Sequence, residues 1–213
     1  MLASVSRTSP RPAIPATPAR SSRPPKDEVR TRVLRAAGEV FAERGFAAAS
    51  LDQVAAAAGF TKGAVYSNFA SKDELFLALM DAEVAARVAV VEAALGRTTD
   101  LPGALAAVGA ELSRRESAWQ LLFLEFWQRA VRDPEVRRAF VASRRDLRAR
   151  VAGVVTRFLA EHPVRTGWDA ESLTVVLIAL SNGLAIEALP DPTAVPGDLL
   201  TRVLADLVGP EQA

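Results

Sequence analysis

An all-α fold is predicted for this 213-residue chain by three observations. From Lys26 onward, apolar residues recur at the three- and four-residue spacing of helices. Capping-box signals stand where two of those stripes begin. No run alternates at the two-residue period of a strand, and no hairpin turn signal occurs. With 50% hydrophobic and 24% charged residues, the composition is globular, and the length suffices for a sizeable core.

Residues 1–25 are dominated by Pro, Ser, Ala and Arg, carry no acid, and hold six of the 13 prolines. Such a segment cannot bury enough apolar surface to order itself, so a disordered basic tail is expected. A long helix follows, with Val33, Leu34, Ala37, Val40 and Phe41 on one stripe. Gly45 is suited to its left-handed C′ position, and Phe46 to the hydrophobic partner of a Schellman stop. Ser50 and Gln53 have capping-box spacing and open a short helix that Gly59 ends. Its run of alanines, 55–58, permits close approach of another backbone. Thr61 caps a third, short helix that ends near Phe69 and Ala70. Ser71 and Glu74 form a second capping box, opening a long helix to about Leu95. Two very short helices about a glycine turn, braced by a long one, make a helix-turn-helix over residues 26–72.

Helical periodicity continues through 73–213. Helices are expected over 102–116, 117–131, Pro134 to about Ala160, 169–189 and 198–208, for about nine in all. The 117–131 helix is the most aromatic. The next carries an apolar stripe of Val136, Phe140, Leu147, Val151, Val154 and Phe158. It also carries Arg137, Arg138, Arg144, Arg145, Arg148, Arg150 and Arg157, read as a solvated basic face.

Charge is unevenly distributed. Residues 1–75 hold 11 Lys/Arg against 7 Asp/Glu, whereas the rest hold 15 against 18. A basic amino-terminal third points to an anionic partner at that end. With no Cys, neither a disulfide nor a thiolate metal site is available. The single His162, before Pro163, reads as a loop residue. No catalytic residue, metal site or cofactor is expected. The most apolar run, 172–186, is 15 uncharged residues, short of the roughly 20 that a membrane span needs. It reads as a buried or interface helix, with no membrane partner and a cytoplasmic location expected.

In a helix-turn-helix the second short helix enters the major groove by its N-terminal end. Gly63 and Ala64 keep that helix low against DNA. Lys62 can reach a phosphate or a guanine edge. Tyr66, four positions later on the same side, can donate to a phosphate. Asn68 can donate or accept. Lys72, opening the next helix, can grip a flanking phosphate. Val65 and Phe69 share the other face and pack inward.

The stretch "SLDQVAAAAGFTKGAVYSNFASKDELF" (50–76) resembles the DNA-binding signature of tetracycline-repressor-like (TetR) transcriptional regulators. The resemblance covers about residues 27–80. It rests on the Ser50 cap, "VA…AG", "TKG..Y..F" and "SKDEL". One departure is Asn68, where many members have His. The resemblance implies a dimeric all-helical regulator, with DNA contacts from Ser50, Thr61, Lys62, Gly63, Tyr66, Asn68 and Lys72. Ser50, Tyr66 and Lys72 would grip phosphates, and the segment Lys62 to Val65, which includes Ala64, would read bases.

A ligand pocket is expected at the aromatic helix, lined by Trp119, Phe123, Phe126 and Trp127 with Leu79 and Met80, and made polar by Glu125 and Gln128. Val176, Ala179, Leu180, Gly183 and residues 186–188 make a broad apolar surface of the kind that interfaces use. By resemblance, two such helices from each subunit form a four-helix bundle. The operator is then a near-palindrome with half-sites about 34–36 Å apart. The expected function is a sequence-specific repressor released by a small apolar or amphipathic ligand. The alternative is a DNA-binding regulator or architectural protein without a ligand.

Overall fold

The computed structural model describes residues 25–114, 117–162 and 164–210. The segment expected to be a disordered tail therefore lies, but for Pro25, outside the described residues. Among the described residues the chain forms α1 (Lys26–Ala48), α2 (Leu51–Ala58), α3 (Lys62–Tyr66), α4 (Lys72–Leu95) and α5 (Leu101–Leu112). Then follow α6 (Ser117–Arg132), α7 (Pro134–Glu161), α8 (Ala170–Glu187) and α9 (Leu199–Leu207). One departure from a purely helical expectation is a minimal antiparallel pair, β1 (Val164–Arg165) with β2 (Gly209–Pro210), which ties the end of α7 to the end of α9.

The capping signals act as their chemistry dictates. The Ser50 hydroxyl accepts from the Gln53 amide, and the Gln53 side chain accepts from the Ser50 amide, closing the box at the start of α2. At α4 the box is only half formed. Ser71 accepts from the Glu74 amide, but the Glu74 carboxylate reaches one residue further back, to the Ala70 N–H. Gly59 stands at φ 70°, ψ 30°, the left-handed conformation that stops α2 and turns the chain into α3. Gly45 differs from its expected role. At φ 75°, ψ 162° it breaks α1 without a left-handed cap, in a region that only glycine adopts readily. Phe46 nevertheless folds back and is buried, its ring 5.7 Å from that of Phe41.

Phe41, Phe46, Phe76 and Phe126 meet in one aromatic cluster, with Phe76 and Phe126 stacked at 4.4 Å. Fully burying one such ring contributes about 1.5–3 kcal/mol. This core takes residues from α1 to α4, α6 and the start of α7, so it crosses the boundary expected at residue 72. A second, distal core is built on Leu105, Leu200 and Leu204. There α5 and α9 pack so closely that a Cβ on Gly109 would lie 1.9 Å from the Thr201 hydroxyl oxygen.

Helices α4 and α7 run parallel. Ser143 donates to Asp81 at 2.7 Å, and about three turns further along Arg157 pairs with Glu92. His162 caps the end of α7, its ring stacked 4.5 Å from Phe158.

Candidate functional site

The face of α3 divides cleanly. Val65 and Phe69 are 0% and 1% exposed and pin the helix to the aromatic core. Val65 therefore cannot touch DNA, and its expected share in base reading is corrected. Thr61, Lys62, Gly63 and Tyr66 are exposed, with Tyr66 at 51%, and Ala64 is half-buried. A Cβ placed on Gly63 would meet nothing within 4 Å. The fold itself does not require glycine there, whereas a surface approached closely from outside would.

Polar side chains around this face are partly engaged. Thr61 caps α3 by accepting from the Ala64 amide at 3.3 Å. Lys62 pairs with Asp52 across the helix-turn-helix at 2.5 Å, and that hydrogen bond raises its pKa. Ser50 accepts within the α2 cap, which leaves its hydroxyl proton to donate. The Asn68 amide nitrogen donates to the Ala64 carbonyl at 2.7 Å, while its oxygen is buried without a donor. That geometry turns Asn68 toward its own helix.

Lys72 departs most from expectation. Its ammonium donates to the carbonyls of Phe46, Ala47 and Ala49 at 2.6, 3.0 and 2.8 Å, over the Phe46 ring at 4.5 Å. All three protons are used, so no donor is left for a phosphate. Burial lowers its pKa, with Asp73 opposing. Glu125 is displaced from the expected pocket to the same turn. Its carboxylate accepts from the Phe46 N–H at 2.8 Å and the Ala47 N–H at 2.7 Å. Arg129, one turn further along α6, holds Asp73 at the start of α4 through two hydrogen bonds of 2.7 and 3.0 Å. Thus α4 and α6 clamp the end of α1, from Phe46 to Ala49, with one cation and one anion.

An apolar cavity of about 220 Å³ lies between α4, α7 and α8. Met80, Trp119 and Phe123 line it as expected. Phe126 does not, being 0% exposed inside the aromatic core. Trp127 packs edge-on to Phe123 and Phe140 and otherwise faces solvent. Leu79 is core and Gln128 is exposed. Most of the wall is aliphatic and belongs to α4, α7 and α8 rather than α6.

Among the polar lining groups missed in the sequence are Gln120 and Arg144. Arg144 was read with the solvated arginines. A signal was present, because the α7 stripe skips from Phe140 to Leu147 and Arg144 fills the intervening apolar position.

Along α8, Val176 and Leu180 turn inward and line the cavity, which corrects their expected place on an outer interface. Ala179 and Gly183 are exposed, and Val175, at 46%, extends their row by one turn. A Cβ on Gly183 would meet nothing within 4 Å. With 18 residues, a mean hydropathy of 1.4 and 11% of the helix buried, α8 meets the lower bound of a membrane span by length and composition. The reading that no stretch could span is corrected to that extent.

Residues 33–79 match the model described as bacterial regulatory proteins of the tetR family, and residues 101–210 match that of the BetI-type transcriptional repressor C-terminal region. The HTH-type transcriptional activator FasR of Mycolicibacterium smegmatis is 46% identical over 81 residues, 38% of this chain and 37% of that protein. The alignment thus spans little more than a third of that relative's length. FadR from Bacillus subtilis, solved with stearoyl-CoA, superposes with a TM-score of 0.64 at 17% identity, over 85% of this chain and 99% of that one. A regulator from Saccharomonospora viridis, solved with choline, gives 0.62 at 21% identity, over 84% and 95%. At these identities the two structures share the fold alone.

Proposed function

The chain belongs to the tetR family of bacterial regulatory proteins, and from that membership we propose that it is a sequence-specific transcriptional regulator whose α3 reads operator DNA. One observation carries the reading. The outward face of α3 offers Thr61, Lys62, an unobstructed Gly63 and Tyr66, while its inward face is locked in the core. Ser50 and Tyr66 grip phosphates, which position the protein, and the Lys62–Ala64 turn reads base edges. Lys62 reaches DNA by exchanging Asp52 for a phosphate. Lys72 acts indirectly, by holding the 46–49 turn that carries α2.

The exposed row Val175, Ala179 and Gly183 is the place for a second copy of the chain, not for lipid. A two-fold dimer through α8 and α9 presents two α3 helices to half-sites about one DNA turn apart. The partner DNA is therefore a near-palindrome, in the cytoplasm.

The cavity between α4, α7 and α8 binds an amphipathic small molecule that releases the DNA. That two fold neighbours were solved with stearoyl-CoA and with choline supports a small-molecule ligand. Release runs through α4 and α6. Phe123 in the cavity wall stands two residues from Glu125, which holds the amides of the 46–47 turn. A ligand that shifts α6 thereby displaces the helix-turn-helix, and a coupling of about 1–3 kcal/mol suffices.

Selection of binding sites from a random DNA pool tests the reading. Enrichment of a near-palindrome with half-sites one turn apart is expected, and a pool that remains random after repeated rounds would contradict it.

A further inference from the structure

The cavity holds a positive charge that the protein does not neutralise. Arg144 lines it, half-buried, with its guanidinium 5.7 Å from the Phe123 ring and 5.5 Å from that of Trp127. It joins no ion pair among the described residues. Its charged neighbour is another cation, Arg148, and burial together with that neighbour lowers its pKa. Gln120 lines the same cavity, with its amide nitrogen buried and without an acceptor. Two donors thus face one space and lack what they should bind. The lining carboxylate, Glu83, is exposed and leaves Arg144 unpaired.

The cavity is also long. Its wall follows α4 from Met80 to Leu95 and the parallel α7 from Arg144 to Leu159. Fifteen residues of helix on each side give about 22 Å at the helical rise. Between the ends stand Val84, Val88, Val91, Val151, Val154 and Phe158. Such a wall accepts an extended hydrocarbon, with Glu83, Arg87, Ser181 and Asn182 the other polar residues in its lining.

We propose that this cavity takes a long-chain fatty carboxylate, its head paired with Arg144 and Gln120 and its chain lying along the valley between α4 and α7. The proposal rests on the reading of this cavity as the ligand site. A quaternary ammonium would set like charge against Arg144. A neutral alkanol would leave the guanidinium and the Gln120 amide unpaired. A coenzyme A thioester has no carboxylate at its acyl end.

The test uses the delipidated full chain and follows tryptophan fluorescence, since Trp119 lines the cavity. Hexadecanoate, hexadecan-1-ol, hexadecyltrimethylammonium and hexadecanoyl-CoA are titrated below their aggregation limits, with octanoate as a short-chain control. Hexadecanoate should saturate the signal, and the other four should bind at least about tenfold more weakly. Arg144→Met should weaken hexadecanoate about ten- to hundredfold, the loss of a charged hydrogen-bonded contact. It should leave hexadecan-1-ol unchanged, which also reports that the variant is folded. Gln120→Leu and Arg144→Lys provide a second pair, with the lysine variant retaining most of the affinity. Tighter binding of the ammonium, preference for the thioester, absence of hexadecanoate binding, or insensitivity to Arg144→Met would overturn the assignment. A parallel titration on selected DNA separates the two readings. DNA binding without hexadecanoate binding refutes this assignment alone. Hexadecanoate binding without DNA release upholds it and refutes the regulatory role of the cavity.

Discussion

Replacing Glu125 probes the joint between the two halves of the molecule. Its two carboxylate oxygens each accept one backbone N–H at the end of α1, past the break at Gly45, at 2.8 and 2.7 Å. A hydrogen bond to a charged group contributes about 1.5–3 kcal/mol. The Ala47 amide is exposed and will find water in place of the carboxylate, so its share is small. The Phe46 amide is partly buried and is left without an acceptor. Glu125→Ala should therefore cost about 2–3 kcal/mol, most of it from Phe46. For a chain of this size each kcal/mol lowers Tm by about 2–4 °C, so a fall of about 5–10 °C is expected. Glu125→Gln keeps one acceptor and should cost roughly half as much. Urea unfolding followed by circular dichroism measures both, and the same variants should bind DNA more weakly because α2 and α3 lose their anchor. Lys72→Met acts on the carbonyls of the same turn, so the double variant should cost less than the sum of the singles. If both Glu125 variants stay within about 0.5 kcal/mol of the parent, the range of ordinary surface changes, the clamp does not hold the turn.

Other perturbations reach the remaining parts of the account. Gly63→Ala should leave stability unchanged or slightly raised, because nothing lies within 4 Å of the new methyl, yet it should weaken DNA binding; unchanged affinity in a fluorescence anisotropy titration would remove Gly63 from the interface. Tyr66→Phe removes one exposed hydroxyl and should weaken operator and random DNA alike by a few-fold per site; a sequence-dependent loss would place Tyr66 on a base instead. Gly109→Ala drives a methyl into Thr201 and should destabilise by about 1–3 kcal/mol, with partial recovery when Thr201 is also Ala; a Tm equal to the parent's would refute the close approach of α5 and α9. Asp169 accepts from the Ser172 amide and hydroxyl, which hold its pKa below the ordinary 3.8. Its contribution is complete above 3.8 and is lost as pH falls through the depressed folded value. Asp169→Asn should flatten that acid limb of the stability profile, and an unaltered limb would show that the cap is not coupled to folding.

Local chemistry carried most of the fold into the sequence. Ser50, Gln53, Gly59 and Thr61 act through neighbours three or four positions away, so their roles could be read directly. The same holds for the inward turn of Val65 and Phe69. Contacts between distant elements left no local trace. The Glu125 bonds reach across 78 and 79 residues, and those of Lys72 across 23 to 26. From spacing alone, a lysine at the start of a helix and a glutamate on an aromatic one look like a phosphate contact and a pocket wall. Phe126 was misplaced for a similar reason, since helical period says which residues turn inward but not whether they meet a core or a cavity. Arg144 could have been found, because it interrupts an apolar stripe in which a solvated arginine has no place.

The central claim is that α3 reads a specific operator. It is tested most directly by anisotropy titration of the full chain against a DNA site recovered from a random pool and a scrambled site of equal length, at two salt concentrations. The account predicts affinity that falls with salt on both sites, while the selected site stays at least about a thousandfold tighter. Equal affinity for the two sites would show that the exposed face of α3 holds DNA without reading it.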